Sequence, residues 1–444
     1  MNSIAFYTLG CKLNFSESSA LARSFEQRGW LRRAFHEGAD VVVVNTCSVT
    51  DHADRKCKKV VQEARRHNPA ARVVIVGCYA QLKPQEIATI PGVAAVFGAA
   101  EKFQLADHVE ALLTSPDAAP RVVTSPIHHA NTFVPAYSAG DRTRTFLKVQ
   151  DGCDYSCSFC TIPLARGKSR SGSIDQVLAQ VEEIAATSQV REIVLTGVNL
   201  GDFGLDSEGT RRETFTQLAH RLAADAPAPI ERFRISSIEP NLLTDEVIDL
   251  VATGGRFMPH FHIPLQSGAD RILKLMRRRY LTRLYADRIH RIHSLMPHCG
   301  IGVDVIVGFP GETDADFRQT YQFLADLPVT YLHVFPYSER ANTLAASLAG
   351  RVPERIRSER TEQLRQLSER KRRAFAGHHL GRTARVLFEA EVNAAGQLEG
   401  YTENYIRVAL PYDPLLVGEI RPVELHELTP TGLVLGHEAA TCPA

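Results

Sequence analysis

Three apolar runs near the start of the chain, Ile4–Leu9, Val41–Val44 and Val73–Val76, each end within three residues of a cysteine: Cys11, Cys47 and Cys78. Helical patterns such as Ser16–Arg28 and Ala53–Arg66 lie between the runs, so the segment reads as strands and helices in alternation, the pattern of a parallel α/β sheet. The cysteines are spaced by 36 and 31 residues, about one strand–helix–strand unit each. In a parallel sheet the carboxyl ends of neighbouring strands share one edge, where such folds place ligands. Three cysteines distant in sequence are therefore expected to converge in space. Free cysteines also pack well in cores, but a repeated strand-end register is not what independent core thiols would produce.

A second alternation starts at Phe146. Candidate strands are Phe146–Gln150, Glu192–Thr196, Arg232–Ser237, His260–Leu265, Gly302–Val307 and Tyr331–Phe335, with helical patterns at Ile174–Thr187, Glu213–Ala224, Thr244–Ala252, Thr282–Met296 and Asp314–Leu327. Six such repeats suggest a partial (β/α)6 barrel with its functional groups at the strands' carboxyl ends. An open doubly wound sheet would obey the same rule. After Pro353 a helical pattern runs to about Ala376, and then Ala384–Phe388, Gly400–Leu410, Glu419–Leu425 and Gly432–Leu435 read as short strands of a small all-β barrel. At 444 residues the chain is too long for one core. The expected division is 1–113, a linker at 114–140 that is rich in Pro, Ser, Ala and Thr, 141–376 and 377–440.

The second barrel-like region opens on Cys153, Cys157 and Cys160, spaced C-x3-C-x2-C directly after its first strand. Three thiolates in one short loop suit an iron–sulfur cluster. A structural zinc site wants a fourth Cys or His close by, and none stands within twenty positions. Three ligands on a four-iron cluster leave one iron open. The other cysteines, Cys57, Cys299 and Cys442, carry no such spacing and read as packing residues or tail. Nine cysteines, an odd number, without a basic-then-apolar leader in Met1–Phe6 argue against a disulfide framework. No run approaches 18 apolar residues, so no membrane span is expected and the cytoplasm is the default compartment.

Net charge is only +1, yet eleven Lys or Arg face four Glu between Arg351 and Arg385. Such a segment reads equally as a phosphate footprint or as a solvated helix between domains.

The C-x3-C-x2-C loop after the first of six strand–helix units resembles the radical S-adenosylmethionine (SAM) superfamily. With the N-terminal triad placed, nearly the whole chain resembles the methylthiotransferases. The matching stretches are Thr8-Leu9-Gly10-Cys11-Lys12-Leu13-Asn14, Val44-Asn45-Thr46-Cys47, Val76-Gly77-Cys78, Ile162-Pro163-Leu164-Ala165-Arg166-Gly167, Leu195-Thr196-Gly197-Val198-Asn199, His262-Ile263-Pro264-Leu265-Gln266-Ser267-Gly268, Val307-Gly308-Phe309-Pro310-Gly311-Glu312 and Gly400-Tyr401-Thr402-Glu403-Asn404-Tyr405. The resemblance implies a flavodoxin-like N-terminal domain, a radical SAM domain and a C-terminal TRAM barrel. It implies two 4Fe–4S clusters, on Cys11, Cys47 and Cys78 and on Cys153, Cys157 and Cys160, the latter triad catalytic through SAM cleavage.

Gly10-Cys11-Lys12-Leu13-Asn14 and Asp151-Gly152-Cys153-Asp154 are most similar to the subgroup acting on N6-threonylcarbamoyladenosine 37 of tRNA. That subgroup makes the 2-methylthio derivative from two SAM molecules and needs an electron donor and a sulfur source. Subgroups acting on isopentenyladenosine or on a ribosomal protein are the alternatives. A cobalamin-dependent methyltransferase would carry an Asp-x-His-x-x-Gly motif, which the chain lacks. By their strand-end positions Thr196, Gly197, Asn199, Ser236, Glu239, Gln266, Ser267 and Asp304 are candidates for SAM, with Gly308 and Glu312 beside them. Arg166 is a candidate for substrate, for the methionine carboxylate or for bracing the cluster loop. Tyr401, Asn404, Tyr405, Arg382 and Arg385 are candidates for RNA contact on the terminal barrel.

Overall fold

A computed structural model describes residues 2–47, 51–114, 119–140, 143–206 and 208–439, with backbone alone at 51–54. Cys442 lies outside the described residues. The first apolar runs become β1 (Ser3–Thr8), β3 (Val41–Thr46) and β4 (Arg72–Gly77), joined by β2 (Leu31–Arg32), β5 (Val93–Phe97) and β6 (Arg121–Val123). All pair in parallel in the order β2-β1-β3-β4-β5-β6, which is the flavodoxin-like sequence of crossovers. Val42, Val44, Val73 and Ile75 pack on one face of this sheet, and Val41, Val43, Val74 and Val76 on the other. Cys57 is fully buried on the first of those faces.

Within 114–140 the chain does more than link. It supplies β6 to the first sheet and β7 (Ala136–Tyr137) to the second, where β7 runs antiparallel to β8 (Thr145–Lys148). A short ladder of β9 (Gln150–Asp151) and β10 (Arg170–Ser171) encloses the Cys153 loop. Then β11 (Glu192–Thr196) and β12 (Arg232–Ile235) extend the sheet β12-β11-β8-β7, and β13 (His260–His262), β14 (Gly300–Val307) and β15 (Tyr331–Pro336) form a parallel sheet of three. Parallel bridges Phe233–Phe257 and Ser237–His262 join the two sheets. The result is a six-stranded arc, β8 to β15, with a helical layer outside. Val303, Val305 and Val307 point into that layer. Gly302, Asp304 and Ile306 alternate with them and face the lumen, opposite Tyr331, His333 and Phe335.

The helix Glu354–Gly377 lies along β15, and β16 (Thr383–Val392), β17 (Gln397–Thr402), β18 (Arg407–Pro411), β19 (Ile420–Leu428) and β20 (Val434–Glu438) close a barrel. The sequence suggests one strand over Gly400–Leu410; the structure breaks it into β17 and β18. Tyr405 adopts φ +72°, and the turn is pinned by Ile406 N–H donating to Thr402 Oγ1 at 2.8 Å. A residue with positive φ cannot continue a strand, and alternation alone does not reveal it.

Candidate cluster sites and the chamber between them

The strand ends of β1, β3 and β4 lie in register, with Thr8 opposite Asn45 and Thr46 opposite Gly77. Cys11, Cys47 and Cys78 follow at one edge, as their spacing leads one to expect. Two glycines permit this approach. A Cβ on Gly10 (φ +113°) would stand 2.6 Å from Cys47 Cβ, and one on Gly77 (φ +98°) 2.4 Å from Thr46 O. Cys11 caps the helix Lys12–Glu26 and Cys78 begins the helix Cys78–Leu82. Burial pushes the Cys78 thiol up, against the pull of Arg166.

Cys153, Cys157 and Cys160 occupy the loop between β9 and the helix Ile162–Arg166. Each sulfur already accepts a hydrogen bond: Cys153 from Tyr155 N–H (3.4 Å), Cys160 from Ile162 N–H (3.5 Å) and Cys157 from Arg278 Nη1 (3.1 Å). Donors aimed at sulfur suit thiolates that carry iron. With protons alone, burial pushes the Cys160 thiol up to about 12 and the other two upward as well. A bound metal reverses that preference by replacing the proton.

Among the described residues, three ligand atoms all within 4.8 Å of one another occur only at His262, Asp304 and His333. Neither cysteine triad is that compact. Three thiolates without a fourth Cys or His beside them suit an iron–sulfur cluster with one open iron better than a structural zinc ion. None of the six cysteines is in a disulfide.

Arg166 joins the two sites. Its guanidinium donates to Asn14 Oδ1 (2.6 Å), to Glu17 Oε1 and Oε2 (3.0 and 3.1 Å) and to Asp151 Oδ1 (2.9 Å). Glu17 also meets Lys102 (2.8 Å) and Lys148 (3.3 Å), and Asp151 meets Arg170 (3.3 Å). All of these side chains are at least nine-tenths buried. Burial pushes the Glu17 carboxyl up, but Arg166, Lys102 and Lys148 outweigh it and hold it far below the ordinary range. Of the roles open to Arg166, bracing is the one its contacts show. Glu17, Lys102 and Lys148 escape sequence reasoning, because their partners lie up to 149 residues away.

The SAM candidates divide. Asp304 and Gln266 line a recess of about 230 Å3 with Cys160, Ile306 and Phe335. Asn199 donates to Asp202 Oδ2 (2.8 Å), while its Oδ1 is buried without a partner among the described residues. Gly197 lies against Gln150, and the backbone N–H groups of Val198 and Asn199 donate to Gln150 Oε1. Glu239 pairs with Arg278, the residue that also holds Cys157. Ser236 is buried at the end of β12. Thr196 and Ser267 do not face the recess: Thr196 Oγ1 donates to Leu147 O (3.0 Å) and Ser267 Oγ meets Thr320 Oγ1 (3.3 Å). Gly308 and Glu312 form a separate turn, where Glu312 accepts from Gly308 N–H and pairs with Arg360.

Below the recess, His262 Nε2 meets Asp304 Oδ1 at 2.9 Å and its ring stacks on His333. The floor of the lumen is a plug from the terminal barrel. Asn404 O would stand 2.3 Å from a Cβ on Gly300, and Tyr405 stacks on Tyr401 (4.7 Å) and His260 (4.5 Å). Asn404 donates to His298 O, and Arg234 donates to Glu403 O. Tyr401, Asn404 and Tyr405 therefore dock two units together rather than form an outer RNA face. The basic helix is likewise largely engaged, with Arg357 and Arg351 on Glu339, Arg360 on Glu312, Lys371 on two carbonyls and Arg373 on two more. Arg385 pairs with Glu231. Arg365 borders a cavity of about 430 Å3 between β15, this helix and the barrel, and Arg382 borders a second of about 610 Å3.

A model of the radical SAM superfamily matches residues 147–324, and one described as Uncharacterized protein family UPF0004 matches residues 3–98. The threonylcarbamoyladenosine tRNA methylthiotransferase MtaB of Bacillus subtilis is 37% identical over 96% of this chain and 94% of its own. The chain belongs to the radical SAM methylthiotransferase family. A tRNA-2-methylthio-N(6)-dimethylallyladenosine synthase of Methylacidiphilum infernorum is 30% identical over 97% of this chain and 93% of its own. Among solved structures, the radical SAM methyltransferase TsrM of Kitasatospora setae superposes with a TM-score of 0.55 at 17% identity, covering 82% of this chain and 85% of that one; the likeness extends to the fold. Family membership makes the protein an enzyme that uses SAM and a 4Fe–4S cluster. No described helix is long and apolar enough to cross a membrane.

Proposed function

We propose that this methylthiotransferase acts in the cytoplasm on tRNA, converting N6-threonylcarbamoyladenosine 37 to its 2-methylthio derivative, with a second 4Fe–4S cluster on Cys11, Cys47 and Cys78. The observation that carries the reading is the pair of cysteine triads whose flanking segments are joined through one buried arginine, Arg166 holding Asn14 and Glu17 on one side and Asp151 on the other. The greater identity to the threonylcarbamoyladenosine enzyme than to the dimethylallyladenosine one, 37% against 30%, supports the subgroup.

When bound, the clusters and SAM supply a deoxyadenosyl radical and a sulfur that accepts a methyl group. Cys153, Cys157 and Cys160 would hold the first cluster, with N–H donors fixing each sulfur. Gln266, Asp304, Ile306 and Phe335 would wall the adenosyl part of SAM. The unpartnered Asn199 Oδ1 would offer an acceptor to the methionine ammonium. Arg166 keeps the two triads in a fixed relation, and Tyr401, Tyr405 and Tyr331 pack together as the base of the lumen. An electron donor and a sulfur source complete the reaction.

The test is anaerobic turnover of reconstituted protein with SAM, reductant and sulfide on two tRNA pools, bearing threonylcarbamoyladenosine or isopentenyladenosine. A methylthio mass gain confined to the first pool is expected. Gain confined to the second would overturn the subgroup and keep the family.

A further inference from the structure

Outside the two cysteine triads, the lumen holds one more group of ligand-type side chains. His262, Asp304 and His333 stand on the adjacent parallel strands β13, β14 and β15, with Asp304 the direct register partner of His333. Each offers one ligand atom, and the three atoms lie within 4.8 Å of one another. His262 Nε2 and Asp304 Oδ1 are 2.9 Å apart, yet Nε2 is buried and makes no hydrogen bond among the described residues. The distance of a hydrogen bond is met and its alignment is not. Buried polar groups are normally satisfied, and two atoms brought close without pointing at each other are placed as two ligands of one ion would be. The rings are held in position. His333 stacks on His262 at 5.3 Å and meets Tyr331 edge-on at 5.3 Å, and Tyr331 is fixed in turn by His260 Nε2, 2.8 Å from its hydroxyl.

We propose that His262, Asp304 and His333 form a binding site for one divalent transition-metal ion of the zinc class, separate from both iron–sulfur clusters. Two imidazoles and one carboxylate are a donor set that zinc and iron(II) accept, whereas magnesium and calcium select oxygen ligands. Ligand atoms about 2.1 Å from one tetrahedral ion stand about 3.4 Å apart, so side-chain torsions alone can close the spread of the three atoms. Three protein ligands leave a fourth position. Asp304 also lines the recess of about 230 Å3 with Gln266 and Ile306, so that position opens toward the recess, where water or an oxygen donor of the occupant completes the shell.

The test is zinc binding by the reconstituted holoenzyme, with iron and sulfide content first showing that both cysteine triads are loaded. Equilibrium dialysis against zinc chloride, followed by metal analysis, should give a single zinc ion per chain with the iron content unchanged. X-ray absorption at the zinc edge should show nitrogen and oxygen neighbours with imidazole scattering and no sulfur, a readout on the wild type that does not depend on any variant's folding. His333→Gln, its clusters loaded as in the wild type, should bind zinc more weakly by over about 100-fold, because even second-shell partners of a metal contribute about 10- to 100-fold. Failure of the wild type to retain zinc would overturn the proposal. So would sulfur neighbours, which place the ion on a cysteine triad, or an affinity that His333→Gln leaves unchanged.

Discussion

Glu17 sits with no exposed surface among three cations, and the relation between the two cluster sites depends on that grouping. Glu17→Gln leaves Arg166, Lys102 and Lys148 short of their shared counter-ion, and breaking a buried pair from one side costs about 3–5 kcal/mol. Chemical denaturation of the apoprotein should show that loss at neutral pH. The Glu17 carboxyl is held far below its unfolded value, so its contribution is complete above about pH 5 and declines progressively as pH falls from there into the strongly acid range. The difference between wild type and variant should shrink over that acid window. Gly77→Ala is a second residue-scale test. With φ +98° and Thr46 O 2.4 Å from the added Cβ, the Cys78 strand end must move. Iron in the reconstituted protein should fall from about eight to about four atoms per chain, while SAM cleavage persists. The convergence of Cys11, Cys47 and Cys78 at one sheet edge was legible because it follows from spacing and strand-end position. Glu17 and Lys148 were not, since a charge that pairs across 131 residues leaves no local signal.

At the scale of elements, the turn after the helix Asp270–Leu275 delivers Arg278 to Cys157, with Glu239 from the end of β12 orienting it. Removing a cation that donates to a cluster sulfur makes reduction harder. Arg278→Ala should therefore lower the reduction potential of the Cys153-site cluster, seen in a potentiometric titration followed by electron paramagnetic resonance; an unchanged potential would refute the contact. Periodicity located the strands of the arc and their helices, down to Ile174–Thr187 at both ends. It failed at Gly400–Leu410, where the Tyr405 turn splits the strand, and at 114–140, where β6 and β7 are too short to show alternation. Arg278 stands in an Arg277-Arg278-Arg279 run, a signal of charge but not of its target.

For the whole molecule, the terminal barrel closes the lumen floor, and most cations of the 351–385 segment brace the fold. Binding of tRNA should weaken with salt, yet with a slope much shallower than eleven phosphate contacts would give, since each contributes about 0.7–0.9. Arg365 and Arg382, which have no side-chain partner among the described residues and border cavities, should each lower that slope by about one when changed to Glu. The domain order was visible from composition and periodicity. The docking of Tyr401 and Tyr405 into the radical SAM lumen was not, because a tyrosine on a barrel strand looks the same whether it meets RNA or protein.

The central claim is a division of labour between two cysteine triads. It is tested most directly by turnover of a protein with Cys11, Cys47 and Cys78 changed to Ala, assayed for 5′-deoxyadenosine and for methylthiolated nucleoside together. The structure predicts that deoxyadenosine still forms while no methylthio group reaches the tRNA. Methylthiolation by that variant, or loss of SAM cleavage with the Cys153 site fully loaded, would contradict it.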